Sequence, residues 1–335
     1  MATLVTGGAG YIGSHTAVAL HESGRDVVVV DNFANSSPKA VDALRALTTP
    51  DLSFVEADLL DAEALDRVFK EHDIDEVIHF AAHKAVGESV EKPLEYYRNN
   101  LGSTIAIAQA MSENDVSRMV FSSSCTVYGQ PEEIPVTEAA PTGAESPYGW
   151  TKYMSEQILA DAALALPLNA VLLRYFNPVG AHPSGTIGED PNGVPNNLVP
   201  FVMQVAVGRL AKVRVFGTDY DTPDGSGVRD YIHVVDLAEA HVAALDALAN
   251  GLTGATAVNI GTGVGNSVFE VIEAAGRAVG KPIPHEIVGR RPGDIAQTWA
   301  ATDFAADVLG WRASRDLDDM LRDHWRWQSQ NPNGY

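Results

Sequence analysis

Tyr148-Gly149-Trp150-Thr151-Lys152 can set a phenol and an ammonium side by side. Ser146 suits a helix N-cap and Pro147 the first helical position, so a helix is predicted to begin there. Residues four apart on a helix share a face, which brings Tyr148 and Lys152 together. A free tyrosine has a pKa of about 10 and is a poor base at neutral pH. A neighbouring lysine cation favours the phenolate, as does the positive ring of an oxidised nicotinamide. Such a tyrosine can take the proton of a sugar or alcohol hydroxyl while hydride leaves the carbon. Upstream, Met119-Val120-Phe121 reads as a strand and runs into Ser122-Ser123-Ser124. A serine just past the C-terminal end of a parallel strand sits where α/β sheets bind ligands. Ser124 is therefore placed to hydrogen-bond the same hydroxyl. Alone, a Tyr-x-x-x-Lys spacing also describes an exposed helical turn, and three serines a polar turn.

A cofactor pattern gives the pair its context. Ala2 to Thr6 reads as a short buried strand, Gly7-Gly8-Ala9-Gly10-Tyr11-Ile12-Gly13 follows, and a helical pattern continues through Leu20. The run matches G-x-G-x-x-G from Gly8 and, with Gly7, Gly10 and Gly13, G-x-x-G-x-x-G. Glycines allow a tight turn and close approach of backbone to a pyrophosphate resting on the helix N-terminus. A second strand, Asp26 to Val30, ends in Asp31, close to the expected spacing of about twenty residues. Asp31 can accept from an adenosine ribose and would repel a 2′-phosphate, which points to NAD over NADP.

These motifs need a frame, and the chain alternates strand-like and helix-like patterns through its first half. Strands are predicted at 2–6, 26–30, 52–56, 76–80, 118–122 and 169–175, with helices at 11–22, 61–71, 93–114 and 147–164. Such alternation implies an α/β fold with a parallel, doubly wound sheet of the Rossmann type. Ligands then gather at the strands' C-terminal ends. Asp31, Asp58-Leu59, Phe80 to Lys84 and Ser124 all fall there, as one groove would require. After Phe176 the texture changes, and 177–200 is rich in Pro, Gly and Asn. The predicted division is a dinucleotide-binding domain over 1–176 and a smaller α/β substrate domain over 177–335, with 228–250 returning to pack on the first. Helical segments recur at 234–250 and 267–279. Gly261 to Gly265 precedes a helix but lacks a following acid at the right distance, so it reads as a turn near the ligand. Arg229 and Arg290-Arg291, the latter before Asp294, suit a nucleotide diphosphate, because the guanidinium fork matches phosphate oxygens. Each is equally a solvated surface charge.

Composition bounds the partners. The chain has 335 residues, 45% of them hydrophobic, and a formal net charge of −21. That charge argues against nucleic acid or an anionic membrane as a partner. One cysteine, Cys125, rules out an internal disulfide and fits a reducing, cytoplasmic location. It has no base beside it in sequence and reads as a small buried side chain. No signal peptide is expected before a strand that begins at residue 2. No apolar run reaches 18 residues. His79 and His83 are four apart but span a strand end, where helical metal-ligand geometry fails, so no metal is expected.

With Val86-Gly87-Glu88-Ser89-Val90, Lys92 to Tyr97, Phe121 to Gly129, Ser146 to Gly149, Leu173 to Gly185, Pro195 to Leu198 and Gly227 to His233, the chain resembles the UDP-glucose (UDP-galactose) 4-epimerases. These are extended short-chain dehydrogenase/reductases, and the similarity runs nearly end to end. The resemblance implies Tyr148 as acid/base, Lys152 as its tuner and a ribose contact, and Ser124 as the group that orients the sugar hydroxyl. It implies NAD contacts from Tyr11, Ile12, Asp31, Asn32, Asn35, Ser36, Asp58, Leu59, Phe80, Ala81, Ala82, Lys84, Asn99 and Phe176. It implies substrate contacts from Lys84, Asn177, Asn197, Leu198, Arg214, Phe216, Arg229, Arg291 and Asp294. The implied reaction lends a C4 hydride to NAD, holds a 4-ketose through its UDP anchor, turns the ring over and returns the hydride. A homodimer through helices 93–114 and 147–164 is also implied.

Two positions depart from the pattern. Ala82-His83 stands where many relatives carry Gly-Leu, which changes the nicotinamide's surroundings. Thr298 aligns with a position lining the sugar pocket that holds tyrosine in some relatives. The smaller side chain leaves room for an N-acetyl group, so the UDP-GlcNAc/UDP-GalNAc pair is an expected second substrate. A related 4,6-dehydratase would need an Asp-Glu pair after the serine, where this chain has Cys125 and Thr126. A non-enzymatic NAD-sensing module would not need Tyr148, Lys152 and Ser124 together.

Overall fold

Strands buried on both faces read as unbroken apolar runs, and those of this chain do so because helices cover the sheet on each side. The computed structural model describes residues 1–191, 193–291 and 293–335. Its elements are β1 (Ala2–Thr6), α1 (Tyr11–Glu22), β2 (Asp26–Asp31), α2 (Pro38–Leu47), β3 (Ser53–Glu56), α3 (Ala62–Glu71), β4 (Ile74–His79), α4 (Val86–Glu91), α5 (Pro93–Glu113), β5 (Arg118–Ser124), α6 (Pro147–Ala165) and β6 (Asn169–Tyr175). There follow β7 (Asn177–Val179), α7 (Leu198–Ala206), β8 (Val213–Phe216), β9 (Val228–His233), α8 (Val234–Ala249), β10 (Ala255–Ile260), β11 (Gly265–Ser267), α9 (Val268–Val279), β12 (His285–Val288), β13 (Gln297–Thr298), α10 (Asp303–Leu309) and α11 (Leu317–Gln330).

The main sheet runs β10-β6-β5-β4-β1-β2-β3 and is parallel throughout. The doubly wound α/β expectation therefore holds. Alternate residues feed opposite layers. Val5, Val29, Ile78, Val120 and Val171 meet α1 and α8 residues such as Ala17, Leu20, Leu237 and Leu245. Leu4, Val28, Val77, Met119 and Leu172 meet Leu65, Val68, Ile107, Met111 and Leu159 of α3, α5 and α6. Strand order reverses between β1 and β4, which opens a crevice at their C-terminal ends.

Local chemistry sets the helix starts. Asp61 caps α3 by accepting from Glu63 N and Ala64 N. Ser146 caps α6 by accepting from Gly149 N, with Pro147 at the first position. Ser267 and Glu270 form a capping box on α9, which Gly280 ends in a left-handed conformation.

The second region has its own core, in which α7, β8, α9 and α11 bury Val199, Val202, Val215, Val271, Ile272 and Leu321. A four-stranded sheet links β11, β9, β13 and β7, and a two-stranded one links β12 and β8. Two features differ from expectation. β10, from the second half, forms the seventh strand of the main sheet, pairing Ala255–Ile260 with Ala170–Tyr175. β5 also runs two residues past the predicted end at 122, to Ser124, because Ser122–Ser124 pair with Leu173–Tyr175.

Candidate active site

One cleft of about 700 Å³ opens along the C-terminal ends of the parallel strands. The glycine turn forms one end. Gly7 has φ +68, and a Cβ there would fall 2.8 Å from Ala81 N. A Cβ on Gly13 would fall 2.4 Å from Gly7 O, so the backbone closes on itself only without side chains. Gly10 caps α1 with no side-chain bond, leaving first-turn N–H groups open to an anion.

Asp31, at the end of β2, ties this turn to the next loop. Its Oδ2 accepts from Ala9 N at 3.0 Å, and its Oδ1 from Phe33 N at 2.9 Å and Ser36 Oγ at 2.7 Å. An ionised carboxylate has about four acceptor sites, so it can take a further donor. Asn32, Asn35, Ser36, Asp58 and Leu59 continue the wall, with Asn32 Nδ2 donating to Asp58 Oδ2 at 3.3 Å. Tyr11, Ile12, Phe80, Ala81, Ala82, Lys84, Asn99 and Phe176 line the same cleft.

Tyr148, Lys152 and Ser124 stand at its centre. α6 starts at Ser146, so Tyr148 and Lys152 lie one turn apart, with Lys152 Nζ 5.9 Å from the phenol ring centroid. Nζ also donates to Ser122 O at 2.6 Å and lies 5.0 Å from the Phe121 ring centroid. Burial pushes the Tyr148 phenol up to about 12, opposed by its hydrogen bond with Ser124. Burial also lowers Lys152 to about 7, opposed by Glu156. The expectation that Lys152 favours the phenolate thus meets a stronger contrary effect, since loss of water disfavours both charged forms. His79, beneath the pair, is lowered to about 3 by burial and by Lys152, and its Nδ1 lies 2.7 Å from Thr6 Oγ1. His83 lines the cleft with its ring 5.3 Å from that of Tyr96 and its backbone N–H on Asn100 Oδ1.

The far end is built from side chains. Phe216 has two guanidinium groups near its ring, with Arg214's 5.6 Å and Arg291's 5.2 Å from the centroid. Arg291 also reaches Asp294 at 3.2 Å. Asn177, whose Nδ2 donates to Asp230 O at 2.9 Å, joins Asn197, Leu198 and Arg229 in the wall.

Thr298 is different. It is buried in β13, in register with Arg229, and does not line the cleft. Gly261–Gly265 also stays off the wall. Buried Asp230 accepts from Thr262 N, Thr262 Oγ1, Gly263 N and Ala300 N, and a Cβ on Gly261 would strike Asp230 at 2.4 Å. The glycine there serves a carboxylate of this chain. Among the described residues no His, Cys, Asp and Glu group could hold a metal.

Two wall residues carry no signal in the sequence. Glu189 is buried and accepts from Lys84 Nζ at 3.3 Å across the cleft, and Tyr335 donates its N–H to Asp190 at 2.9 Å. Neither belongs to a spacing that local reasoning can read.

A family model for the NAD dependent epimerase/dehydratase family matches residues 3–261. The chain belongs to that family. The matched span holds all of the seven-stranded sheet but its first residue, Ala2, and ends just after β10. Similarity to individual members runs further. The chain is 58% identical to the UDP-glucose 4-epimerase of Bacillus subtilis over 100% of this chain and 99% of the relative. It is 52% identical to the Bifidobacterium longum UDP-glucose 4-epimerase solved with NAD+ and UDP, covering 100% of both chains with a TM-score of 0.95. It is 35% identical to the UDP-Glc/GlcNAc 4-epimerase of Campylobacter jejuni, with a TM-score of 0.85 over 98% of this chain and 99% of that one.

Proposed function

We propose that this member of the NAD dependent epimerase/dehydratase family interconverts UDP-glucose and UDP-galactose at C4, with NAD as a resident cofactor. One observation carries the reading. A dinucleotide cradle, a buried Ser-Tyr-Lys group and a guanidinium-flanked aromatic platform line a single cleft. The cradle fits NAD: Gly7 and Gly13 leave backbone where a Cβ would clash, α1 presents uncapped N–H groups, and Asp31 keeps acceptor capacity. Gly7, Gly10, Tyr11, Ile12 and Gly13 would hold the diphosphate, with Asp31 and Ser36 near the ribose and Lys84, Asn99 and Phe176 further along. Bound NAD supplies a reversible hydride acceptor for C4 and, when oxidised, a positive charge.

Tyr148 takes the O4 proton and later returns it. Ser124 orients that hydroxyl through its bond to the phenol. The protein alone leaves Tyr148 protonated at neutral pH, so its ionisation needs cations close by, Lys152 among them. Phe216, Arg214, Arg229 and Arg291 anchor the UDP. Firm hold there and few contacts to the hexose let the ring present either face. Net redox is zero, so the cofactor need not leave.

The test is to incubate purified protein, without added cofactor, with UDP-galactose. UDP-glucose is the expected product. A 4-keto-6-deoxy sugar would mark a dehydratase, which the neutral Cys125 and Thr126 after Ser124 disfavour, and no product would mark a binding module.

Three finer points belong to the same reading. Thr298 stands behind the wall beside Arg229, so it gives no room in the pocket. Activity on the UDP-GlcNAc/UDP-GalNAc pair rests instead on the likeness to the UDP-Glc/GlcNAc 4-epimerase of Campylobacter jejuni, and an undetectable rate on it in a kcat/KM comparison rejects this. A homodimer follows from exposed apolar residues on α5 and α6: Leu94, Ile105, Trp150, Met154 and Leu164. Pairing these helices with a second copy covers them, and a monomer in micromolar sedimentation contradicts it. Location in the cytosol is in keeping with the unpaired Cys125. Among the described residues no helix is long and apolar enough to cross a membrane.

A further inference from the structure

α6 sets three residues in one row against β5, namely Tyr148, Lys152 and Glu156, each a turn apart. Three successive serines of β5 receive them. Ser124 lies by the Tyr148 phenol and favours its ionised form, Ser122 O accepts from Lys152 Nζ at 2.6 Å, and the Ser123 hydroxyl donates to Glu156 Oε1. Arg174 on β6 grips the same carboxylate from the other side, with Nε 2.9 Å from Oε1 and Nη2 2.6 Å from Oε2. Arg174 Nη1 also donates to the Tyr128 hydroxyl at 2.9 Å. Glu156 is 2% exposed and Arg174 7%. The chemistry derived above does not use Glu156.

An ion pair buried this deeply contributes little net stability, because desolvation of both charges offsets their attraction. Packing alone therefore gives no reason for it to lie one turn below Lys152. Charge does. The titratable groups around Lys152 and Tyr148 are His79 on β4, Tyr96 on α5, Cys125 after β5, and Arg174 and Tyr175 on β6. Burial keeps His79 neutral down to about 3 and pushes Cys125 up to about 12. It raises Tyr96 and Tyr175 as well. Near neutrality none of these supplies a negative charge. Glu156 does, and it opposes the burial that draws Lys152 down to about 7.

Taking Tyr148 and Lys152 in the roles proposed above, we propose that Glu156 is a positioning residue for the reaction. Its carboxylate, held by Ser123 and Arg174, fixes the row of α6 on β5 and keeps Lys152 charged beside Tyr148. Arg174 grips the Glu156 carboxylate with two donors, and Ser123 sets its direction.

The test compares Glu156→Gln and the double variant Glu156→Gln/Arg174→Gln with the wild-type holoenzyme. Epimer formation from UDP-galactose is measured from pH 6 to 10, with a thermal midpoint for each protein. Glu156→Gln leaves Arg174 buried and unpaired and is expected to lower the midpoint. The neutral double variant is expected to recover much of it. Both should lose at least about tenfold in kcat at pH 7. In Glu156→Gln the alkaline limb should move to lower pH by about one unit, because Lys152 without its anion gives up its proton sooner; the double variant, which loses the Arg174 cation as well, should move it the same way by less. A double variant with the wild-type kcat and pH profile would reduce the pair to a structural contact and overturn the proposal. The wild-type arm separates the two readings, since a wild-type protein that forms no epimer refutes the assigned reaction itself.

Discussion

The two ends of the cleft are built by different means. At the dinucleotide end the cradle closes on backbone at the β1 turn and the first turn of α1, where the glycines leave no room for a side chain, held by the parallel pairing of β1 with β2 and β4. At the end proposed for UDP the wall is side chain: Arg214, Phe216 and Arg291, on a two-stranded ladder and a loop. A wall of backbone has no spare volume and fails all at once when an atom is added. A wall of side chains loses its grip in steps, contact by contact. The difference suits a cofactor that stays and a substrate that must leave.

Gly13→Ala should break the comparison hardest. Its Cβ would sit 2.4 Å from Gly7 O and 2.7 Å from Gly8 Cα, and neither backbone atom can yield cheaply. The expected outcome is protein without NAD and without turnover, read as cofactor content after gel filtration. Normal NAD content would show that the turn is looser than its contacts imply.

Acid should act next, through histidines buried in both regions. His15 on α1 and His79 at the end of β4 are lowered to about 3 by burial, as is His324, and His241 to about 4. In the unfolded chain each binds a proton below about 6.5. The folded protein refuses that proton until near 3 or 4, so the unfolded state holds more protons across this window. Stability is therefore intact above about pH 6.5 and falls as pH drops below it. Four such groups amount to on the order of 4 kcal/mol between pH 6 and 5. Thermal midpoints across that range check the sign, and a flat profile would contradict it.

Phe216→Ala should have the smallest effect and sharpen the contrast. Two exposed cation–π contacts contribute about 0.5–1 kcal/mol each, so KM for UDP-galactose should rise about tenfold with kcat within about twofold. A comparable loss of kcat would mean that the UDP end takes part in the chemical step.

The same contrast decides how much of the molecule is legible in its sequence. The glycine turn, Asp31 and the Ser146-Pro147 start of α6 are local patterns with local causes, and the expected elements around them form. β10 escapes because Ala255-Thr256-Ala257-Val258-Asn259-Ile260 is weakly apolar and lies far along the chain from β6; only its pairing with β6 makes it a strand. Ser123 and Ser124 fall outside the predicted strand because the ladder to Arg174 and Tyr175 leaves no trace in their own composition. Glu189 and Glu156 meet their partners across 105 and 18 residues, respectively, distances over which no spacing rule reaches. Thr298 shows the limit of resemblance, since a shared position in the chain did not put its side chain on the wall.

The most direct measurement is turnover of UDP-galactose by Tyr148→Phe beside wild type, with NAD content determined on the same samples. A folded, NAD-loaded variant with kcat reduced by about 10³-fold or more is predicted, because the phenol oxygen is the only part removed. Near-normal turnover by that variant would contradict the assignment of Tyr148 and, with it, the proposed chemistry.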